Sequence, residues 1–264
     1  MNVFLMLALT VEAFAVPPAQ AFRAYEDQHF YLFSQTDKSG FSCLMDLNTI
    51  SQLVNGLKTK AESGELPMDI KDSLPSFGVK YVRLTDSLEF NRPTLSLSIK
   101  DGTPLTNPEA VRAGMEQIFT GFNQQVEGAI GIAQGLLHEF LISRHDAIKD
   151  VQFASSSAGY EVSFAMEGGT TTSRFDGTIK HSEIRLGEGL IQAKASFEKG
   201  VGDKMVLNGA QIEQANGTLR LGLSTQTVDG MVIPAAIEMS SIPAGQPASA
   251  ASGFSIRFFN CSVE

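Results

Sequence analysis

Residues 204–239 read KMVLNGAQIEQANGTLRLGLSTQTVDGMVIPAAIEM. Apolar and polar side chains alternate along this stretch, the period of a strand with one face buried. Leu219, Leu221 and Leu223 share one face, as do Met231, Ile233, Ala235, Ile237 and Met239. Asn216-Gly217 and Asp229-Gly230 interrupt the alternation with dipeptides that accept the left-handed backbone of a tight hairpin. Three antiparallel strands joined by two short turns are therefore expected.

The same period extends in both directions. Downstream, residues 243–253 (PAGQPASAASG) read as a low-complexity loop before a last strand, FSIRFFNCSVE. Upstream, VQF, YEVSFAM, SRFDGTIKHSEIRL and LIQAKASFE alternate in turn, and Gly187-Glu188-Gly189 marks a turn between two of them. Residues 150–264 thus predict a meander of about eight or nine strands. A sheet of that size curls and needs something over its apolar side.

The period changes to that of a helix over residues 107–145. Asn107-Pro108-Glu109 supplies an N-cap, a proline at the first helical position and an acid in the first turn. Met115, Phe119, Phe122, Val126, Ala129, Ala133, Leu136 and Phe140 then follow at steps of four and three, an apolar seam. Gly114, Gly121, Gly128 and Gly135 repeat every seven residues beside it, which predicts close packing of a neighbour on that flank. Earlier, residues 46–60 predict a short amphipathic helix, 61–76 a connector, and 77–100 two strands turning at Asn91-Arg92-Pro93. The expected fold is α+β: a large curled antiparallel sheet, an open barrel, packed against one long helix and a short N-terminal helix. It occupies residues 22–264 as a single domain.

Composition narrows the function classes. The chain has 264 residues, a net charge of −9 and no basic run, which argues against binding nucleic acid or anionic lipid electrostatically. The first 21 residues read as a signal peptide: Val3–Leu9 is apolar, Pro17 and Pro18 follow, and Ala19-Gln20-Ala21 offers a cleavage site before Phe22. No Lys or Arg precedes the apolar run, and Glu12 stands within the segment. Beyond it no stretch has the ~20 uncharged apolar residues of a membrane span. A periplasmic or secreted protein is expected. Its two cysteines, Cys43 and Cys261, are then either a disulfide tying the two ends together or two separate buried thiols.

No catalytic or metal motif stands out. His138 and His145 lie two turns apart near the helix end, where histidines commonly meet the helix dipole. Carboxylates alternate singly with apolar residues and no nucleophile has an obvious base, so neither an enzyme nor a cofactor is expected.

Within residues 204–239, the strand pair leading into Asp229-Gly230, Pro234 and Ile237 resembles the closing strands of the LolA/LolB-like family of periplasmic lipoprotein carriers. The resemblance implies an open barrel that shelters acyl chains without covalent chemistry. The expected function is binding of lipid or another hydrophobic ligand between sheet and helix, with envelope proteins as further partners. The expected lining is Met115, Phe119, Phe122, Val126, Leu136 and Phe140 from the helix, with Leu219, Leu221, Leu223, Ile233 and Ile237 from the sheet. The competing expectation is a structural or protein-interaction domain of the envelope with a fully packed core and no ligand.

Overall fold

A computed structural model describes residues 16–33, 36–102, 104–141, 149–166, 168–247, 249 and 251–264, the side chains of Leu136, His138, Glu139, Phe140, Leu141, Met166 and Val201 excepted. Most of the expected signal peptide, the expected helix end near residues 144–146, and His145 lie outside the described residues.

The chain begins with helix α1 (Pro18–His29), strand β1 (Gly40–Leu47) and helix α2 (Asn48–Glu62). Four short strands follow: β2 (Met68–Asp72), β3 (Gly78–Val82), β4 (Ser87–Asn91) and β5 (Leu95–Ile99). Helix α3 (Pro108–Leu141) then precedes nine consecutive strands. These are β6 (Lys149–Ser156), β7 (Gly159–Met166), β8 (Gly169–Phe175), β9 (Ile179–Leu186), β10 (Gly189–Lys199), β11 (Met205–Gln214), β12 (Gly217–Val228), β13 (Met231–Pro243) and β14 (Ser252–Val263).

The large sheet holds twelve strands in the order β4-β3-β1-β14-β13-β12-β11-β10-β9-β8-β7-β6, and β2 pairs with β5 in a second, two-stranded sheet. All pairings in the large sheet are antiparallel. The sheet does not close, so the expected barrel is an open sheet with β4 and β6 at its edges. Among the described residues there are three α-helices rather than the two expected: α1 was not anticipated, and it starts four residues before the expected cleavage point.

The hairpin signals act with one adjustment. Asp229 and Gly230 take positive φ (50° and 78°) between β12 and β13, the backbone a two-residue turn with right-handed strand twist requires. At the other signal the turn sits one residue early: Gln214 pairs with Gly217, leaving Ala215-Asn216 as the loop. Gly217 is a strand residue at φ 145°, where a Cβ would fall 2.3 Å from the Ile242 carbonyl oxygen. Both the positive φ and the close approach of that carbonyl select glycine there.

The segment expected as one strand over 77–90 folds into two, β3 and β4, through a turn in which Asp86 has φ 50° and accepts the Tyr81 hydroxyl at 2.6 Å. The expected connector 61–76 contains β2, whose register with β5 needs partners far along the chain (Asp72 with Leu95 at the near end, Met68 with Ile99 at the far end) and leaves no local signal.

Helix α3 packs chiefly against α2 and β5, and an Arg92–Glu127 ion pair ties it to the turn before β5. This differs from the expected lid lying along the large sheet. Among its described side chains, Phe122, Val126, Ala129, Ile130, Ala133 and Leu137 are buried. The expected seam had a period of 3.5, which drifts by about 20° per heptad on a straight helix. Ile130 and Leu137 accordingly take over the buried stripe, and Phe119 is 47% exposed.

The close-packed glycine flank is overturned. A Cβ at Gly114, Gly121, Gly128, Gly131 or Gly135 would meet no atom within 4 Å. These positions face open space, so nothing in the described fold needs a glycine there.

Two apolar cores lie on the sheet. The larger joins Phe41, Met45, Leu47, Ile50, Val54, Phe122, Leu137, Ile237 and Ile256 among others; the smaller gathers Phe22, Phe30, Tyr160, Val162 and Phe175 beneath α1. The segment Phe30–Phe33 runs from one to the other. Phe30 packs on Phe175 and Phe197, and the Tyr31 amide donates to the Met205 carbonyl at 2.9 Å. The Val232 amide donates to the Tyr31 hydroxyl at 3.1 Å, and Phe33 meets Phe41 and Tyr81.

Cys43 and Cys261 form a disulfide across neighbouring strands β1 and β14. It sits at a bulge where Cys43 alone opposes Asn260 and Cys261, with Asn260 at φ 49°.

Two outcomes are expected. Gly121→Ala and Gly128→Ala should each raise stability by about 0.5–1 kcal/mol in urea denaturation, because alanine is the better helix former and its methyl has room; a loss would show that these glycines serve a contact outside the described fold. Reducing the disulfide, which closes a sequence separation of 218 residues, should lower unfolding free energy by about 5 kcal/mol on the chain-entropy estimate. Equal denaturation midpoints with and without reductant would contradict this.

Candidate functional site

Cross-strand partners share a face, so the register assigns every strand residue to one side of the sheet. The inner face carries the two cores. Between them, three rows cross the strands. Ile184 (β9) stands opposite Ile191 (β10). Ser182, Ala193, Ile212 and Leu219 form the next row, and Lys180, Ala195, Ala210, Leu221 and Met239 the third. Ile184, Ile191, Ile212, Leu219, Leu221 and Met239 are all half-buried and belong to neither core. Leu186, next on the same face of β9, is 44% exposed.

Charge lies mainly on the outer face, with Lys180 of β9 an exception. His181, Glu183 and Arg185 of β9, Lys194 of β10, Glu213 of β11, Arg220 of β12 and Glu238 of β13 all lie on the outer face by register. On the inner face of β9, Lys180 lies opposite Phe175 and beside the Tyr160 hydroxyl, at the border of the smaller core. Burial drives the Tyr160 pKa above the usual phenol value, and the Lys180 ammonium acts in the opposite sense.

The expected lining divides accordingly. Phe122, Val126, Ile233 and Ile237 are 0–3% exposed and Leu223 9%, all within the larger core. Met115 is half-buried and Phe119 exposed, on the part of α3 that precedes its buried stripe. The Leu136 and Phe140 side chains lie outside the described set. Leu219 and Leu221 stand on the uncovered stretch. Ile184, Ile191, Ile212 and Met239 join them, and their alternation with charged neighbours in HSEIRL, AQIEQ and IEMS was the signal available for three of them.

A second feature is a cleft of about 570 Å³ between α2, the 3-10 turn Leu74–Ser76 and strands β1, β13 and β14. Its charged groups are paired. The Ser51 hydroxyl donates to Asp46 at 2.6 Å and the Arg257 guanidinium at 2.8 Å. The Asp72 carboxylate, 4% exposed, meets the Lys58 ammonium and accepts the Leu74 amide at 3.1 Å. The Ser51 hydroxyl, then the Arg257 guanidinium, hold the Asp46 carboxyl below its ordinary pKa of 3.8. A carboxylate held that low is a weak general base at neutral pH, so Ser51–Asp46 makes a poor nucleophile–base pair. Among the described residues no group of three or more His, Cys, Asp or Glu is placed to hold a metal ion.

Comparison with family models, with curated proteins and with solved structures gives no match. No described helix is long and apolar enough to cross a membrane.

The pairing of Asp46 sets a pH dependence. Its folded pKa is depressed, so its stabilisation is present above the ordinary value of 3.8 and lost as pH falls through the folded value. The stability difference between the wild type and Asp46→Asn should be constant near neutrality and shrink below that pH. Denaturation midpoints whose difference persists undiminished to about pH 2, well below the usual carboxylate range, would refute the assignment.

Proposed function

We propose that the protein is an exported, non-enzymatic carrier for lipid or another hydrophobic ligand, and that the ligand occupies the uncovered stretch of the inner face. The half-buried group Ile184, Ile191, Ile212, Leu219, Leu221 and Met239, belonging to neither core, carries this reading. Contiguous apolar surface of this kind marks binding sites more often than idle surface. Ligand sites of this class need an apolar wall with few polar groups, which the charge segregation supplies.

Export is part of the proposal and rests on residues 1–21. Cleavage after Ala21 would remove the first four residues of α1 and leave Phe22, 3% exposed in the smaller core, as the new N-terminus. The resemblance of residues 204–239 to lipoprotein carriers supports the same ligand class, with Asp229-Gly230 as the turn and Pro234 and Ile237 on β13.

A second reading has its own support. Phe122, Val126, Ile233 and Ile237 fill the larger core, so the region between α3 and the sheet is occupied by protein. A structural or interaction domain of the envelope would have that property, and it would present the uncovered stretch to another protein.

Native mass spectrometry of the full chain, expressed with its own N-terminal segment in an exporting bacterial host and mildly extracted, separates the two. The carrier reading expects an N-terminus at Phe22 and a co-purified mass that organic solvent removes. Protein that emerges empty and takes up no pyrene-labelled acyl probe excludes a carrier and leaves the interaction domain.

A further inference from the structure

We propose that the first turns of α3 form a self-association surface: a second copy of this chain docks on them antiparallel, about a two-fold axis through Met115. The surface shares no residue with the uncovered stretch of the inner face, so the proposal goes beyond the carrier reading and neither depends on the other.

Helix α3 starts at Pro108, where the Asn107 side chain accepts the Ala110 amide at 3.1 Å, yet its buried stripe starts only at Phe122. Followed back at ~100° per residue, the same face presents Met115 at its centre. Val111 and Ile118 flank Met115 on one side; Arg112, Phe119 and, farther round, Glu116 flank it on the other. The packing of α3 on α2 and β5 does not bury this part. Val111 and Met115 are half-buried, Ile118 only borders the larger core, and Phe119 is 47% exposed. Met, Phe and Arg are residue types that protein interfaces favour over other surface.

The strip complements itself. Under the two-fold axis each flank faces its own copy with the direction reversed. On the apolar flank, Val111 comes level with the second copy's Ile118 to within about 1.5 Å along the helix. On the other flank, Arg112 comes within about 1.5 Å of the level of the second copy's Phe119 and about 3 Å of its Glu116. A guanidinium placed there stacks on the ring and forks onto the carboxylate, and the symmetry makes each contact twice. Within one copy the charges are unused: among the described residues neither the Arg112 nor the Glu116 side chain has an ion-pair or hydrogen-bond partner. An Arg four residues before a Glu is also the less favourable order along a single helix. About three turns of each helix take part, which buries less than the roughly 1,200 Å² at which stable interfaces begin. The dimer is therefore weak, with a dissociation constant on the order of 10 μM or above.

Sedimentation equilibrium of the full chain should show a monomer–dimer equilibrium between about 1 and about 300 μM, the range of weak interfaces. Arg112→Glu and Glu116→Arg should each raise the dissociation constant at least about tenfold. Mixed one to one, the two variants should recover dimer near the wild-type affinity, because every flank contact between them again joins opposite charges. That recovery also shows that neither variant is misfolded. Met115→Cys stands on the axis of helices about 8–10 Å apart, so mild oxidation should link two copies by a disulfide. Gln124→Cys, exposed on the far side of α3, should not cross-link. A monomer throughout the range overturns the proposal, and so does assembly beyond a dimer, because a two-fold contact closes. A dimer that tolerates both charge reversals, or that cross-links through Gln124→Cys, overturns the placement.

Discussion

The alternation of strands β9–β13, which Lys180 breaks with a charge on the inner face, is the constraint from which the rest follows. Putting Glu183, Lys194, Glu213, Arg220 and Glu238 on one side of a sheet leaves the other side apolar over several strands. Water tolerates the first side and penalises the second by roughly 25 cal/mol per Å². Everything else in the chain can be understood as covering that second side, and the three helices cover it unevenly.

At one side α2 and α3, with the small β2–β5 sheet, complete the larger core over β1, β13 and β14. Near the other edge α1 sets Phe22 and Phe30 among the aromatic rings of β6–β8 and β10. Phe30–Phe33 stitches the two together at the strand ends near Met205 and Val232. The far ends of β9–β13 receive no such cover among the described residues. That unevenness, rather than any polar constellation, is the feature that a ligand can use.

The Cys43–Cys261 bridge belongs to the same arrangement. Strand β1 comes from the start of the chain and β14 from its end, so their pairing closes a very long loop. Loop-closure entropy opposes that pairing in the unfolded chain, and a covalent link removes the opposition. By contrast, the paired charges of the cleft beside α2 are partly exposed, as at Arg257, and surface pairs of that kind contribute little each.

Local chemistry made much of the fold legible in the sequence. Period-two alternation predicted a meander of about eight or nine strands where the structure has nine, Asp229-Gly230 marked one of its two-residue turns, and Asn107-Pro108 marked the start of α3, because each depends on neighbours a few residues apart. Of the candidate site, Leu219 and Leu221 were readable, since a strand's own pattern says which residues share a face. Which apolar residues stay uncovered was not readable. Phe122 and Ile237 look no less available than Leu221 in sequence, yet packing from distant segments buries them. The glycine register misled for the same reason: a repeat of seven specifies a flank of the helix but not what lies against it, and here nothing described does. Sequence alone therefore determined the strands, their inner and outer faces and the long helix, all consequences of short-range periodicity. The tertiary structure alone decided the open sheet edges, the β1–β14 disulfide and the unfilled stretch between two cores, because each depends on contacts between residues far apart in the chain.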